Sequence, residues 1–304
     1  MAYPTLGDLL RDLTSLDLPL PIPTFGLLVA AALLVSLRLL ESELRSMHAA
    51  GSIPMARRRA KGNRGTPAYE DVPAYELMTG LALVIVLAGI VGARVFHLLE
   101  YPEAFIADPV GAIFTRSGFT VFGALVFGLV GGAFYARRHR VPLPQLGDAL
   151  APALMMGYAI GRIGCQLSGD GDWGIAADMA LKPDWLPQWL WAQTYEGNIA
   201  GVIIDPPGVY PTPIYETAMG LAAFGILWAM RKHARRAGWL FGLFLFLTGL
   251  ERVLIEQIRV NVTFDLFGLQ LTQAELIATA LMIAGLAGMV VLRRRKAPAS
   301  PASV

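Results

Sequence analysis

The chain has 304 residues, 55% of them hydrophobic and only 16% charged, with a formal net charge of +2 and a mean hydropathy of +0.53. Soluble proteins carry about 25% charged residues, so these figures exclude an ordinary cytosolic enzyme and predict an all-α polytopic membrane protein. The single cysteine excludes an internal disulfide framework and any multi-cysteine metal site.

In chain order, the N-terminus lacks a positive stretch ahead of an apolar core and does not read as a signal peptide. Residues 5–16 carry Leu6, Leu9, Leu10, Leu13 and Leu16 on one helical stripe, with Asp8, Arg11 and Asp12 mostly opposite. That pattern predicts a short interfacial helix within an external segment, residues 1–22. Apolar segments at 23–40, 77–98, 119–136, 146–166, 213–230, 238–257 and 272–292 predict about seven transmembrane helices over 23–292. The loops between them alternate in charge. Arg45, Arg57, Arg58, Arg59, Lys61 and Arg64 fill the first; Arg137, Arg138 and Arg140 the third; Arg231, Lys232, Arg235 and Arg236 the fifth; Arg293, Arg294, Arg295 and Lys296 follow the last segment. The positive-inside rule puts these loops in the cytoplasm, the N-terminus outside and the C-terminus inside, with 293–304 a disordered cytoplasmic tail. The basic runs are topology signals, and no nucleic-acid partner is read from them. Residues 168–212 form an external head region holding Trp173, Trp185, Trp189 and Trp191, four of the six tryptophans; it reads as an aromatic belt or a cap on lipid headgroups. Ala124, Gly128 and Gly132, four apart, mark a helix-packing face.

With this orientation Arg94, Arg162, Arg252 and Arg259 all fall in the outer half of the membrane, against the positive-inside rule. A cation at such depth costs about 2.5–3.5 kcal/mol on insertion scales. Two readings stand: snorkelling side chains at helix ends, or an anion site, since the arginine fork bonds two phosphate oxygens at once. Arg162 lies in YAIGRIGCQLSGDGDWG (158–174), where Cys165 is three residues on and Asp170 and Asp172 follow in a Gly-rich turn. On the sixth helix Arg252, Glu256 and Arg259, spaced four and three apart, predict one helical face with Glu251 off it. This stripe is either an ion-pair ladder that fixes packing or one wall of an anion site. Cys165 reads as a small packing residue or as a nucleophile. The DGD stretch lacks the downstream pattern of a calcium loop, and neither a metal cluster nor a Ser-His-Asp arrangement is read. Among His48, His97, His139 and His233, only His97 approaches the outer face.

Together these pieces resemble the bacterial prolipoprotein diacylglyceryl transferase family. GRIGCQLSGDGDWG at 161–174 is similar to the family signature, YPTPIYE at 210–216 to its HPTQLYE-like motif, and ERVLIEQIR at 251–259 to its RFxxEFxR-like motif. Gly92, Ala93 and Arg94 match its GAR element, and LTQAE at 271–275 a terminal element. The resemblance spans residues 20–292 and implies transfer of the diacylglyceryl group of phosphatidylglycerol to the thiol of a lipobox cysteine in a prolipoprotein, at the outer face of the bacterial inner membrane, with no cofactor and no metal. It implies that Arg162, Arg252, Glu256 and Asp170 are catalytic. Arg162, Arg252, Arg94, Arg259, Gly174 and Tyr215 would bind phosphatidylglycerol. The family's histidine falls on Phe122, its signature asparagine on Cys165, its first-helix tyrosine on Phe25 and its motif-opening histidine on Tyr210. His97 or Asp170 is the expected substitute base. The alternatives are a paralogue that transfers the lipid group to another acceptor, or a non-catalytic phospholipid-binding membrane protein.

Overall fold

A computed structural model of the chain describes residues 1–15, 18, 20–60, 69–114, 120–232, 236–261, 263–266 and 269–294. Leu16, Lys61, Arg64, His233, Arg235, Arg295, Lys296 and the expected disordered tail lie outside the described residues. The helices are α1 (Leu6–Thr14), α2 (Thr24–Ala49), α3 (Met78–Glu100), α4 (Pro102–Ala107), α5 (Pro109–Phe114), α6 (Val121–Arg138), α7 (Leu143–Ser168), α8 (Thr212–Met230), α9 (Trp239–Glu256) and α10 (Gln273–Arg294). Two antiparallel hairpins complete the set: β1 (Ala56–Arg59) with β2 (Tyr69–Val72), and β3 (Thr263–Leu266) with β4 (Leu269–Thr272). The protein is therefore a helical membrane protein. Four stretches, Thr24–Ala49, Ala74–Glu100, Thr212–Met230 and Gln273–Arg293, are long and apolar enough to cross a bilayer by length and composition. Each of the seven apolar segments read from the sequence coincides with a helix, α2, α3, α6, α7, α8, α9 and α10 in turn.

The chain divides into two compact units, Met1–Leu40 with Gly147–Val304, and Glu41–Leu146. In the second, α3 and α6 meet through small residues. A Cβ at Gly89 would lie 3.5 Å from the Ala124 carbonyl, and Cβ atoms at Gly128 and Gly132 would lie 3.6 and 3.0 Å from Ile85. Lipid supplies no hydrophobic drive between helices, so close backbone approach at small residues is what joins them; the face expected at Ala124, Gly128 and Gly132 is this contact. Within the same unit Arg58 is held by Glu70 at 2.7 Å and Glu76 at 3.1 Å.

In the first unit the same device recurs. A Cβ at Gly164 of α7 would approach Phe25 and Leu28 of α2 at 3.2 and 3.3 Å, and one at Gly220 of α8 would approach Tyr158 and Ala159 of α7 at 3.2 and 3.3 Å. Ser36 donates to the Ala153 carbonyl at 2.8 Å. Asp148 of α7 accepts from the backbone N–H of Gly238 (2.7 Å) and Phe241 (2.8 Å), satisfying donors that the first turn of α9 leaves open. At the chain start, Thr5 and Asp8 form a reciprocal capping box on α1.

α7 stops at Gly169, whose φ of +61° favours glycine and whose N–H closes on the Cys165 carbonyl at 3.0 Å. From there to Pro211 the chain forms the head, which holds only two single-turn helices, Met179–Leu181 and Gln188–Leu190. Isolated bridges tie it together: Gly174 to Arg259, and both Ala176 and Gln193 to Val209. Tyr195 is fully buried, donates to Gln166 at 2.7 Å and stacks on Trp173 at 5.1 Å. Trp191 donates to the Asp178 carbonyl at 2.9 Å. Two of the four head tryptophans thus serve the head's own packing, whereas Trp185 and Trp189 stand 81% and 59% exposed.

Candidate functional site

The first unit gathers three of the four arginines singled out by depth, and the hub of the cluster is a carboxylate. Glu216 lies in the first turns of α8 and is fully buried. Its Oε1 is 3.1 Å from Arg162 Nη2, 3.2 Å from Arg259 Nη1 and 3.8 Å from Arg252 Nη1. α7 delivers Arg162, α9 delivers Arg252, and the segment after α9 delivers Arg259. A second carboxylate, Asp172, bridges two of these cations: it pairs with Arg162 and, at 2.8 Å, with Arg259. A third, Glu256 at the C-terminal end of α9, pairs with Arg252 at 2.9 Å. Its other oxygen accepts from Asn261 and Thr272, both at 2.6 Å.

Asp172 sits outside the spanning helices. Burial pushes its carboxyl up, but the guanidinium groups of Arg162 and Arg259 outweigh that and hold it below the ordinary carboxylate value. For Arg259, burial works against its charge, and Asp172 and Glu216 more than compensate, leaving its pKa raised. The Asp172 and Glu216 carboxylates thus favour the charged form of Arg259.

Arg259 reaches the cluster by a route the spacing did not foresee. The expected single helical face over 252–259 is corrected by the structure: α9 ends at Glu256, and Arg259 lies past the helix, where its backbone bridges Gly174 of the head. Gly174 permits this because a Cβ there would collide with the Ile258 carbonyl and lie 2.9 Å from Thr212 and 3.0 Å from Tyr210. Thr212 in turn donates to the Asp172 carbonyl at 2.7 Å. One tightly packed corner thus positions Asp172, Arg259 and the first turn of α8 together.

The remaining sequence-read residues fall as follows. Asp170 makes no arginine pair among the described contacts; its Oδ1 accepts the Asp172 N–H at 3.3 Å and shapes the turn that presents Asp172. Tyr215 donates to the Leu190 carbonyl at 2.5 Å and anchors the head. Cys165 is buried, with Sγ 3.8 Å from Arg162 Nη1. The ligand atoms of Cys165, Asp170 and Asp172 lie within 4.8 Å of one another, but Asp172 is already committed to two arginines. Arg94 and His97 belong to the second unit: Arg94 is buried and donates Nε to the Ile113 carbonyl at 3.1 Å, and His97 packs on Tyr101 at 4.9 Å.

Sequence reasoning missed Glu216 as a hub, Asp172 as the bridging carboxylate, and the Tyr158–Glu251 pair, in which the Tyr158 hydroxyl donates to Glu251 at 2.8 Å and stands 3.3 Å from Glu216. It also left Thr272 without a role. The capping box formed by Thr272 and Glu275 starts α10 and aims the Thr272 hydroxyl at Glu256.

Known proteins agree on one family. The family model for prolipoprotein diacylglyceryl transferase matches residues 12–291. A phosphatidylglycerol–prolipoprotein diacylglyceryl transferase of Corynebacterium efficiens is 28% identical over 296 residues, covering 94% of this chain and 82% of its own. A protein of the same name from Dehalococcoides mccartyi is 31% identical over 211 residues, 69% of this chain and 74% of its own. One from Symbiobacterium thermophilum is 27% identical over 281 residues, 92% and 91% respectively. With a match that runs through every segment of the arginine cluster, the chain belongs to the prolipoprotein diacylglyceryl transferase family.

Proposed function

We propose that this protein transfers the diacylglyceryl group of phosphatidylglycerol to the thiol of a lipobox cysteine in prolipoproteins, forming a thioether and releasing glycerol phosphate. The observation that carries this reading is the convergence of Arg162, Arg252 and Arg259 around Glu216 at the ends of apolar helices. An inventory of three guanidinium groups at the edge of lipid suits a phospholipid phosphate. It also suits stabilisation of the charge that grows on that phosphate as the C–O bond breaks. Arg162 and Arg252 hold the phosphate, Glu256 and Glu216 orient them, and Asp170 sets the turn that presents Asp172. The head, anchored by Gly174 and Tyr215, closes the site from outside.

The reading includes a topology. α2, α3, α6, α7, α8, α9 and α10 span the bacterial inner membrane, with residues 1–22 and the head at 168–212 outside and residues 293–304 in the cytoplasm. The charge alternation of the loops supports this orientation. The site then opens to the outer leaflet, where secreted precursors arrive.

Complementation tests the proposal. The protein is expressed in a bacterium depleted of its own diacylglyceryl transferase, and the mass of a reporter lipoprotein is followed. The expected result is a mass gain of one diacylglyceryl group. An unmodified reporter, with the protein verified in the membrane, overturns the reading.

A further inference from the structure

The proposed reaction releases a proton. The acceptor thiol loses its S–H bond, an S–C bond forms, and the electron pair of the broken C–O bond leaves on the phosphate. Some group must take that proton. Besides Asp170, which lies in the head, accepts the Asp172 N–H and shapes the turn that presents Asp172, the cluster offers four buried or half-buried carboxylates. Three of them are committed. Asp172 is paired with two arginines, Glu216 with three and Glu256 with one. Protonating any of these breaks an ion pair that the site needs. The fourth, Glu251, is buried on α9, and its one hydrogen bond among the described residues is the 2.8 Å bond from the Tyr158 hydroxyl. It can accept a proton without releasing an arginine.

We propose, resting on the transferase reading, that Tyr158 and Glu251 are the proton-accepting pair of this site, with Tyr158 passing the thiol proton to Glu251. Tyr158 gives its hydroxyl proton to Glu251 Oε1 as it takes the thiol proton, so one S–H bond is exchanged for one O–H bond on Glu251 and Tyr158 ends neutral. The hydroxyl is well placed for this. It stands 3.3 Å from Glu216, and the Arg162 guanidinium lies 5.3 Å over the Tyr158 ring, so it opens on the arginines that hold the phosphate. The charged and titratable groups facing Glu251 are Tyr158 and Arg162 from α7, Glu216 from α8 and Arg252 on its own helix. From α10, Glu275 is bonded to Gln257 and Thr272. The arginines nearest Glu251 are thus held by other carboxylates before the reaction starts.

The test is the pH–rate profile of the purified protein in phosphatidylglycerol vesicles with a lipobox peptide as acceptor. Glu251→Gln is expected to lower the rate at neutral pH by about 10²–10⁴-fold, the usual worth of a positioned base. Its rate should then climb about tenfold per pH unit toward the free thiol value near 8.5, where the parent stays flat, with KM for phosphatidylglycerol unchanged. A peptide carrying selenocysteine, ionised at neutral pH without assistance, should restore the variant. Tyr158→Phe should behave alike, and carries the test if Glu251→Gln fails to fold. A variant rate close to the parent's overturns the inference, as does an equal loss at every pH with no selenocysteine rescue. A parent protein that transfers nothing to the peptide overturns the transferase reading itself.

Discussion

Glu216→Gln is the sharpest probe of the cluster, because it removes one charge and almost no volume. At separations of 3.1 and 3.2 Å from Arg162 and Arg259, each attraction is worth about 5 kcal/mol gross at an effective dielectric constant near 20. Desolvation offsets most of that, and Arg162 and Arg259 keep Asp172 while Arg252 keeps Glu256, so the figure to expect is the low end of the cost of breaking a buried pair, about 3 kcal/mol. Equilibrium unfolding in bicelles measures it, with Tyr158→Phe as a variant that leaves the ion pairs in place. The kinetic consequence is separate. Glu216 touches no substrate but aims the arginines that hold the phosphate, so kcat should fall by more than the KM for phosphatidylglycerol rises. Misplacing Arg162 and Arg252 by about 1 Å should lower kcat about 100-fold. A Gln variant within about 0.5 kcal/mol of the parent and with unaltered kcat would refute the hub.

Three further outcomes follow from the same geometry. Asp172 has a folded-state pKa below its ordinary value, so its ion pairs contribute stability that is fully present above the ordinary carboxylate value. That contribution is lost as pH falls through the lowered one. The stability gap between the parent and Asp172→Asn should be constant at neutral pH and close only in strong acid; a gap that persists there refutes the assignment. Gly174→Ala inserts a methyl against Ile258, Thr212 and Tyr210, costing about 1–3 kcal/mol by overpacking, and should reduce turnover more than stability because Arg259 is displaced; activity assays beside thermal unfolding check this. Cys165→Ala should keep turnover within about threefold of the parent, since the buried thiol's polar neighbours are Arg162 at 3.8 Å and Asp170, and Arg162 keeps Glu216 and Asp172 while Asp170 keeps the Asp172 N–H; loss of activity would point to covalent chemistry at Cys165.

The helices were legible because a lipid-spanning segment must be long and apolar, and each segment read from the sequence overlies a helix. Arg162, Arg252 and Arg259 were legible for the opposite reason: a cation among apolar residues is costly and needs an account. Glu216 was not. A carboxylate near the start of a helix has a ready explanation in the helix dipole, and nothing local reveals that three arginines distant in sequence point at it. Asp172 was hidden beside Asp170, since the spacing cannot tell which aspartate of a Gly-rich turn faces inward. Arg259 was placed at the site for a reason the structure replaces: periodicity would continue α9 through it, whereas the bridge to Gly174 brings it in from beyond the helix end. The T-x-x-E of Thr272 and Glu275 was a readable capping signal, and its link to Glu256 depends on the β3–β4 hairpin turning back, a tertiary fact.

The sequence left open whether the arginines form a ladder that satisfies itself or a receptor for an anion, and donor arithmetic separates the two. A self-satisfied ladder matches each N–H with an acceptor, and each guanidinium offers five. Here Arg259 Nε is buried with no hydrogen-bond partner among the described residues. Arg252 keeps 25% of its side chain exposed, and its second tie, to Glu216, is a loose 3.8 Å. Packing alone does not account for a buried orphan donor beside a partly open guanidinium at the edge of lipid, since either could be replaced by an apolar residue at lower cost. In the proposed reaction, the phosphate of phosphatidylglycerol would supply the missing acceptors. It needs only to take up the donors that Glu216, Asp172 and Glu256 leave over, while those carboxylates keep the arginines charged and in place when the site is empty.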